Sequence, residues 1–204
     1  MSSAAFWDRA AKKYAASPIA FPDAYAETLD RVRHQLPQKA EVLEVGCGTG
    51  STALLLAENT VRYDATDFSA KMLEIARAKP EAAALPHLNF IQADVVDAPI
   101  GPYHAVLAFS VLHLVDDLPA ALRAIRARLA PDGLFISKTV CLADLGLWLR
   151  VLVPFARLVG LAPPVRFLSG QALERSIRDA GFDIVESADL PAKRAARFVV
   201  SRAP

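Results

Sequence analysis

Apolar residues along this chain are spaced in two rhythms, and the rhythms alternate. Short, largely apolar runs at 41–45, 62–66, 88–93, 104–110 and 134–139 have the length and composition of strands. Segments with helical spacing lie between or after them, at 51–58, 70–79, 119–129 and 171–180. Two further helices, 5–16 and 23–35, precede the first strand; Pro18 and Pro22 stop the one and Pro37 ends the other. Alternation of this kind predicts an α/β fold, a mostly parallel sheet with helices on both faces. No internal repeat or low-complexity segment interrupts the pattern, and 204 residues suit one domain with a substantial core.

The first strand leads into the most informative stretch, Val42-Leu43-Glu44-Val45-Gly46-Cys47-Gly48-Thr49-Gly50. Three glycines at alternate positions, followed at once by an apolar helix, make a strand-to-helix turn whose bare backbone can lie against a ligand. Many nucleotide binders share such a turn. Asp67, 17 residues beyond Gly50 and at the end of the next strand, narrows the choice. An acid there can accept hydrogen bonds from both hydroxyls of a ribose. Turn and acid together indicate an adenosine-type cofactor. Spacing then argues against a dinucleotide: the third small residue of G-x-G-x-x-G/A falls on Ser51, and Glu44 would repel a pyrophosphate. An acid in the place of Glu44 suits a ligand that carries an ammonium or sulfonium.

The pattern E-x-G-x-G-x-G followed by a ribose-reading acid resembles the class I S-adenosyl-L-methionine-dependent methyltransferases, from about Tyr14 to the C-terminus. The resemblance implies a Rossmann-like, doubly wound sheet of seven strands, mostly parallel with an antiparallel last strand, and S-adenosyl-L-methionine as cofactor. It implies that Glu44 meets the cofactor's ammonium through the loop, while Gly46, Cys47, Gly48 and Gly50 supply close backbone. Asp67 would hold the ribose. Asp94, in Asn89-Phe90-Ile91-Gln92-Ala93-Asp94-Val95, would face the adenine amino group, and the Val95 amide would meet the ring. Phe68 and Met72 would pack under or beside the adenosine, though helix-face core explains Met72 equally well. Tyr14 follows Trp7 on the first helix; it would cover the methionine part of the cofactor or else anchor that helix to the core. Phe109 belongs to the segment 105–114, which resembles the fourth strand and the loop that borders cofactor and substrate. Pro131-Asp132-Gly133 replaces the family's usual Pro-Gly-Gly turn, and 181–185 and 197–200 resemble its last two strands. One departure is His104, where an acid is common, so any role for that acid is unsupported here.

Methyl transfer from a sulfonium is an in-line displacement that gains much from positioning alone. An amine acceptor needs only to be deprotonated, and a hydroxyl acceptor gains from a general base. His113, just after the fourth strand, is the best catalytic candidate, against the alternative that it caps the strand or packs on the loop. Lys138 reads as structural. Cys47 and Cys141 are the only cysteines, which excludes a disulfide framework and a metal set and fits a reducing compartment. The first nine residues lack a basic leader with an apolar core, so the expected location is cytoplasmic. A net charge of +1 gives no field toward nucleic acid, and the basic tail with Lys193, Arg194, Arg197 and Arg202 reads as a solvated edge strand.

The 141–168 segment is an apolar insert between the fifth strand and the helix 171–180, and residues 1–40 form an N-terminal helical cap. Asp144, Arg150 and Arg157, with Pro154 between the last two, argue against a transmembrane span. At spacings of six and seven they share one narrow helical stripe, and the rest of the surface is apolar. Such a helix hides its circumference as a lid over an apolar substrate, in a homodimer interface, or by peripheral contact with a membrane; the lid is favoured. The sequence therefore points to methyl transfer to nitrogen or oxygen of a small or amphiphilic acceptor, not a nucleic acid. A membrane-associated lipid or quinone methyltransferase and a non-catalytic cofactor-binding protein are the alternatives.

Overall fold

A computed structural model describes residues 3–146, 148–158, 162–191 and 196–204. Among them the strands are β1 (Ala40–Val45), β2 (Thr60–Asp67), β3 (Leu88–Gln92), β4 (Tyr103–Phe109), β5 (Leu129–Val140), β6 (Asp183–Asp189) and β7 (Ala196–Arg202). They form a seven-stranded sheet in the order β3-β2-β1-β4-β5-β7-β6. Strands β1 to β5 run parallel to one another, and β7 runs antiparallel to both β5 and β6. This is the Rossmann-like, doubly wound arrangement with an antiparallel last strand that the sequence predicts.

The helices are α1 (Ser3–Ala16), α2 (Pro22–Gln35), α3 (Ser51–Leu56), α4 (Ala70–Arg77), α5 (Pro80–Ala83), α6 (Leu118–Arg126), α7 (Leu149–Leu158) and α8 (Gly170–Asp179). Successive side chains of a strand point to opposite faces, so a sheet covered twice needs apolar residues of both parities. One face buries Leu43, Val106 and Phe135 against Leu122 of α6 and Leu173 and Ile177 of α8. The other buries Val42, Leu107 and Ile136 against Leu29 and Val32 of α2 and Leu54 of α3. Side-chain caps start the helices after the crossovers: Ser69 accepts the Met72 amide, Asp117 the Ala120 amide and Ser169 the Ala172 amide.

Strand order reverses between β1 and β4, and a crevice opens beyond the C-terminal ends of strands at such a switch point. The glycine turn and the loop after β4 both lie there. Several boundaries differ from the sequence reading, and the basic tail read as an edge strand forms β7, which lies inside the sheet between β5 and β6. The fifth strand begins at Leu129 because Tyr103 pairs with Leu129 and Ala105 with Leu134, so the Pro131-Asp132-Gly133 turn is a bulge inside β5. Asp132 takes φ +60° there, and its amide donates to the Ala203 carbonyl at the end of β7. The short helix α5, with Pro80 at its first turn, was not expected.

The insert departs further. Its single helical stripe does not form, because Gly146 at φ +123° separates the turn Leu142–Asp144 from α7. Asp144 is therefore off the helix, and its Oδ2 accepts the Gly170 amide at 2.8 Å, tying the start of the insert to α8. The Ala143 amide donates to the Leu168 carbonyl beside it. Trp148, Phe155 and Leu158 of the insert are 62%, 64% and 83% exposed. Residues 147 and 159–161, the side chains of Arg150 and Arg157, and Lys193 and Arg194 of the basic tail lie outside the described residues. No helix among the described residues is long and apolar enough to cross a membrane.

Candidate cofactor and acceptor site

The glycine turn takes the conformation that its residues permit. Gly46, Gly48 and Gly50 have φ of +71°, +55° and +74°. A Cβ on Gly46 would stand 2.6 Å from Val111 Cγ2, and one on Gly50 would stand 2.7 Å from the Phe90 ring. Those two glycines are required by the protein's own packing. Gly48 is different, since the nearest atom to its missing Cβ is Tyr14 Cε1 at 3.9 Å. The space over Gly48 is left open beneath the Tyr14 ring, which is where a ligand approaching the turn would lie. The Cys47 amide donates to Thr66 O at 2.9 Å and the Gly50 amide to Cys47 O at 3.0 Å, so the turn is braced against β2.

Asp67 ends β2 beside this turn, only 8% exposed. Its Oδ2 accepts the Gly48 amide at 2.9 Å and its Oδ1 the Ser69 amide at 2.8 Å. Both oxygens are held in place, and each keeps a second lone pair for a hydroxyl. Burial pushes the carboxyl above its usual range, with the two amides opposing. Ser69 donates in turn to Asp8 Oδ1 at 2.7 Å, and the Lys71 amide donates to the same oxygen at 3.2 Å, which fastens α1 to α4. On α1, Trp7 and Tyr14 meet edge to face with centroids 6.0 Å apart.

Glu44 shares a sheet face with Ala65 and Leu107 and is 2% exposed. The hydroxyl of Tyr63 donates to its Oε2 at 2.8 Å. Burial pushes the carboxyl up to about 7, the Tyr63 hydrogen bond opposes the shift, and the charge on Asp67 adds to it. The Tyr14 phenol is raised by burial first, then by Asp67 and Glu44. The acids Asp67 and Glu44 thus both act on Tyr14, surroundings that suit a cationic ligand. Tyr25 of α2, hydrogen-bonded to Thr52 Oγ1 at 3.0 Å, interacts with Glu44 as well. Cys47 is buried and its thiol is raised well above the ordinary range by burial and by both acids, so it is no nucleophile.

The loop after β3, which the resemblance expects to meet adenine, is less complete. Asp94 is exposed, and its Oδ1 accepts the Val95 amide at 2.6 Å. That amide meets a ring only if the Asp94 side chain turns aside. Phe68 is half-buried with its carbonyl accepting from Gln92 Nε2 at 3.2 Å, and Met72 is buried on α4.

Beyond β4, Phe109 is half-buried and Ser110 sits at φ +55°, an uncommon conformation for a residue with a side chain. The Ser110 amide donates to Lys138 O at 2.8 Å, and His113 O accepts the Arg166 amide at 2.8 Å, so the extended chain leading into α8 runs along this loop. His113 Nδ1 is buried without a hydrogen-bond partner among the described residues, and burial pulls the imidazole down to about 4. It is neutral at physiological pH. Lys138, opposite Phe109 near the end of β5, donates to Thr28 Oγ1 at 2.7 Å and Ala24 O at 3.2 Å, tying α2 to β5. His104 lies at the far end of β4, where Nδ1 accepts the Glu41 amide at 3.1 Å. Among the described residues no group of three or more His, Cys, Asp or Glu side chains could hold a metal.

Sequence reasoning missed Tyr63, Asp8 and Ser69. The serine before α4 carried a readable N-cap signal, whereas the other two depend on contacts between distant segments.

Known proteins place this geometry. A methyltransferase-domain family profile matches residues 19–187. The chain is 32% identical over 173 residues to the 2-phytyl-1,4-naphtoquinone methyltransferase of Thermosynechococcus vestitus, across 74% of this chain and 76% of that one. It is 33% identical over 112 residues to the tRNA 5-carboxymethoxyuridine methyltransferase of Escherichia coli, and spans only 43% of that protein's length. Among solved structures, the CcbJ methyltransferase from Streptomyces caelestis superposes with a TM-score of 0.79 at 21% identity, over 100% of this chain and 99% of that one. The chain belongs to the class I S-adenosyl-L-methionine-dependent methyltransferases.

Proposed function

We propose that this protein transfers a methyl group from S-adenosyl-L-methionine to nitrogen or oxygen of a small or amphiphilic acceptor. The observation that carries the reading is the open space over Gly48 beneath Tyr14, a ring whose phenol the acids Asp67 and Glu44 both act on. Glu44 would receive the cofactor's ammonium and Asp67 the ribose hydroxyls; Asp94, Val95, Phe68 and Met72 would surround the adenine. The bound cofactor would supply a methyl on sulfonium sulfur: an acceptor nitrogen or oxygen would bond to the methyl carbon in line as the carbon–sulfur bond breaks, with S-adenosyl-L-homocysteine as leaving group and the acceptor's proton passing to solvent. His113 is neutral above pH 4 or so and able to accept a hydrogen bond from an acceptor hydroxyl, which orients the nucleophile more than it drives proton removal.

The insert favours an apolar acceptor. Val153, Pro154, Leu158, Pro163, Val165 and Phe167 line a cavity of about 450 Å³. Val165 and Phe167 flank Arg166, whose amide is bonded to His113, so the cavity borders the loop after β4. The naphthoquinone methyltransferase among the relatives supports the same class of acceptor. We read 1–40 as a cap on the cofactor side and 141–168 as the lid on the acceptor side.

Label transfer from methyl-labelled S-adenosyl-L-methionine into a total cell extract, separated into organic, aqueous and macromolecular fractions, tests the reading. Label in the organic phase supports a lipid-like or quinone acceptor, and label in the aqueous small-molecule phase a polar metabolite under the lid. Label in RNA overturns the small-molecule reading. No label despite cofactor binding makes the protein a non-catalytic binder.

A further inference from the structure

The phenol of Tyr63 is wholly buried on the second face of the sheet, with Val42, Ala65 and Leu107 in the same cluster. A hydroxyl in such surroundings is costly without a partner. Its partner is Glu44 Oε2, and no other hydrogen bond to that carboxylate occurs among the described residues. The β1–β2 register explains the pairing. Glu44 lies opposite Ala65, so Tyr63, two residues earlier on β2, projects from the same face one step nearer the start of the strands. The hydroxyl therefore reaches Glu44 from the side away from the glycine turn. The other titratable groups that interact with Glu44 are Asp67 from β2, Tyr14 from α1, Tyr25 from α2 and Cys47 from the turn, none of them a cation.

We propose that Tyr63 is a positioning residue for the cofactor's amino group: its buried hydroxyl steadies the Glu44 carboxylate as the anion that receives the ammonium. The inference rests on the cofactor reading above and adds to it a residue that touches no cofactor atom. Without this hydroxyl, Glu44 has the same burial and the same acidic neighbour but no donor to stabilise its charge. Loss of one hydrogen bond to a buried carboxylate weakens the preference for the anion by about tenfold. Ionisation of Glu44, which occurs at about 7 in the native protein, then requires a pH higher by about one unit.

The test is the affinity for S-adenosyl-L-homocysteine, measured by calorimetry from pH 6 to 9 for the native protein and Tyr63→Phe. 5′-Methylthioadenosine, which has the same adenosine but no amino-acid part, is the control ligand. The ratio of the two proteins' dissociation constants cancels the ligand's own titration. For S-adenosyl-L-homocysteine it should be about tenfold at pH 6, about fivefold at pH 7 and close to one at pH 9. For 5′-methylthioadenosine it should stay near one throughout, which also reports that the variant is folded. A loss independent of pH, or equal for both ligands, overturns the positioning role and leaves Tyr63 a packing residue. A native protein that binds neither ligand overturns the cofactor reading together with this inference.

Glu44→Gln provides a second route. It should weaken S-adenosyl-L-homocysteine binding and abolish its acid limb, and adding Tyr63→Phe to it should change the affinity no further. A further loss in the double variant would overturn the proposal.

Discussion

Replacing Glu44 with glutamine removes a charge from the interior while keeping the side chain's shape and an oxygen for the Tyr63 hydroxyl. The unliganded protein should gain stability from it, and the gain should depend on pH. In the unfolded chain the carboxyl ionises near 4.5, and in the folded chain near 7, mainly because burial disfavours its charge. Between those values the folded state keeps a proton that the unfolded state has released. Stability of the native protein therefore falls as pH rises through that window and levels off above it. About two and a half units at 1.36 kcal/mol each come to roughly 3 kcal/mol by pH 8. For a chain of 204 residues this is a difference in Tm of roughly 6–10 °C. The assay is thermal unfolding of both proteins without cofactor, followed by circular dichroism from pH 5 to 8.5. Other acids titrate in both proteins and cancel in the difference. The variant should exceed the native protein by less than about 1 kcal/mol near pH 5 and by about 3 kcal/mol from pH 7.5 upward. An equal difference at pH 5 and pH 8, or a native protein that is the more stable at pH 8, would refute the reasoning.

Three other outcomes follow from the site. His113, lowered by burial to about 4, should destabilise the fold as pH falls from 6.5, because the unfolded chain takes up a proton that the folded one refuses; His113→Leu should gain about 2 kcal/mol relative to the native protein between pH 7.5 and pH 5, and urea unfolding at the two pH values checks this. Gly46→Ala should lose more stability than Gly48→Ala, because only the former drives a methyl into Val111, whereas Gly48→Ala should lose more S-adenosyl-L-homocysteine affinity; thermal unfolding and calorimetry on both variants would expose the opposite ranking. Asp8→Ala should release α1 from the start of α4, and amide hydrogens of α1 should exchange about fivefold faster by mass spectrometry, with unchanged protection counting against the tether.

What was legible in the chain, and what was not, divides along a physical line. The glycine turn and Asp67 could be read because each acts through properties of its own position: a missing Cβ, a strand end, an acid aimed at the crevice. Strand and helix periodicity likewise needs only near neighbours, which is why the order of elements emerged and even the antiparallel last strand followed from the resemblance. Tyr63 and Glu44 are 19 residues apart, and Asp8 and Ser69 are 61 apart. Neither pair exists until β1 and β2 take a particular register or α1 packs on α4, and a shift of one residue would turn Tyr63 to the opposite face. The insert failed for a related reason. Its apolar rhythm suggested one continuous helix, but Gly146 breaks it, and the Gly170 amide then recruits Asp144 as a staple. Residues proposed to meet the cofactor are thus readable locally, while those that hold them in position come from pairing. A substitution at Tyr63 should for that reason alter how the site titrates while leaving the glycine turn and Asp67 in place.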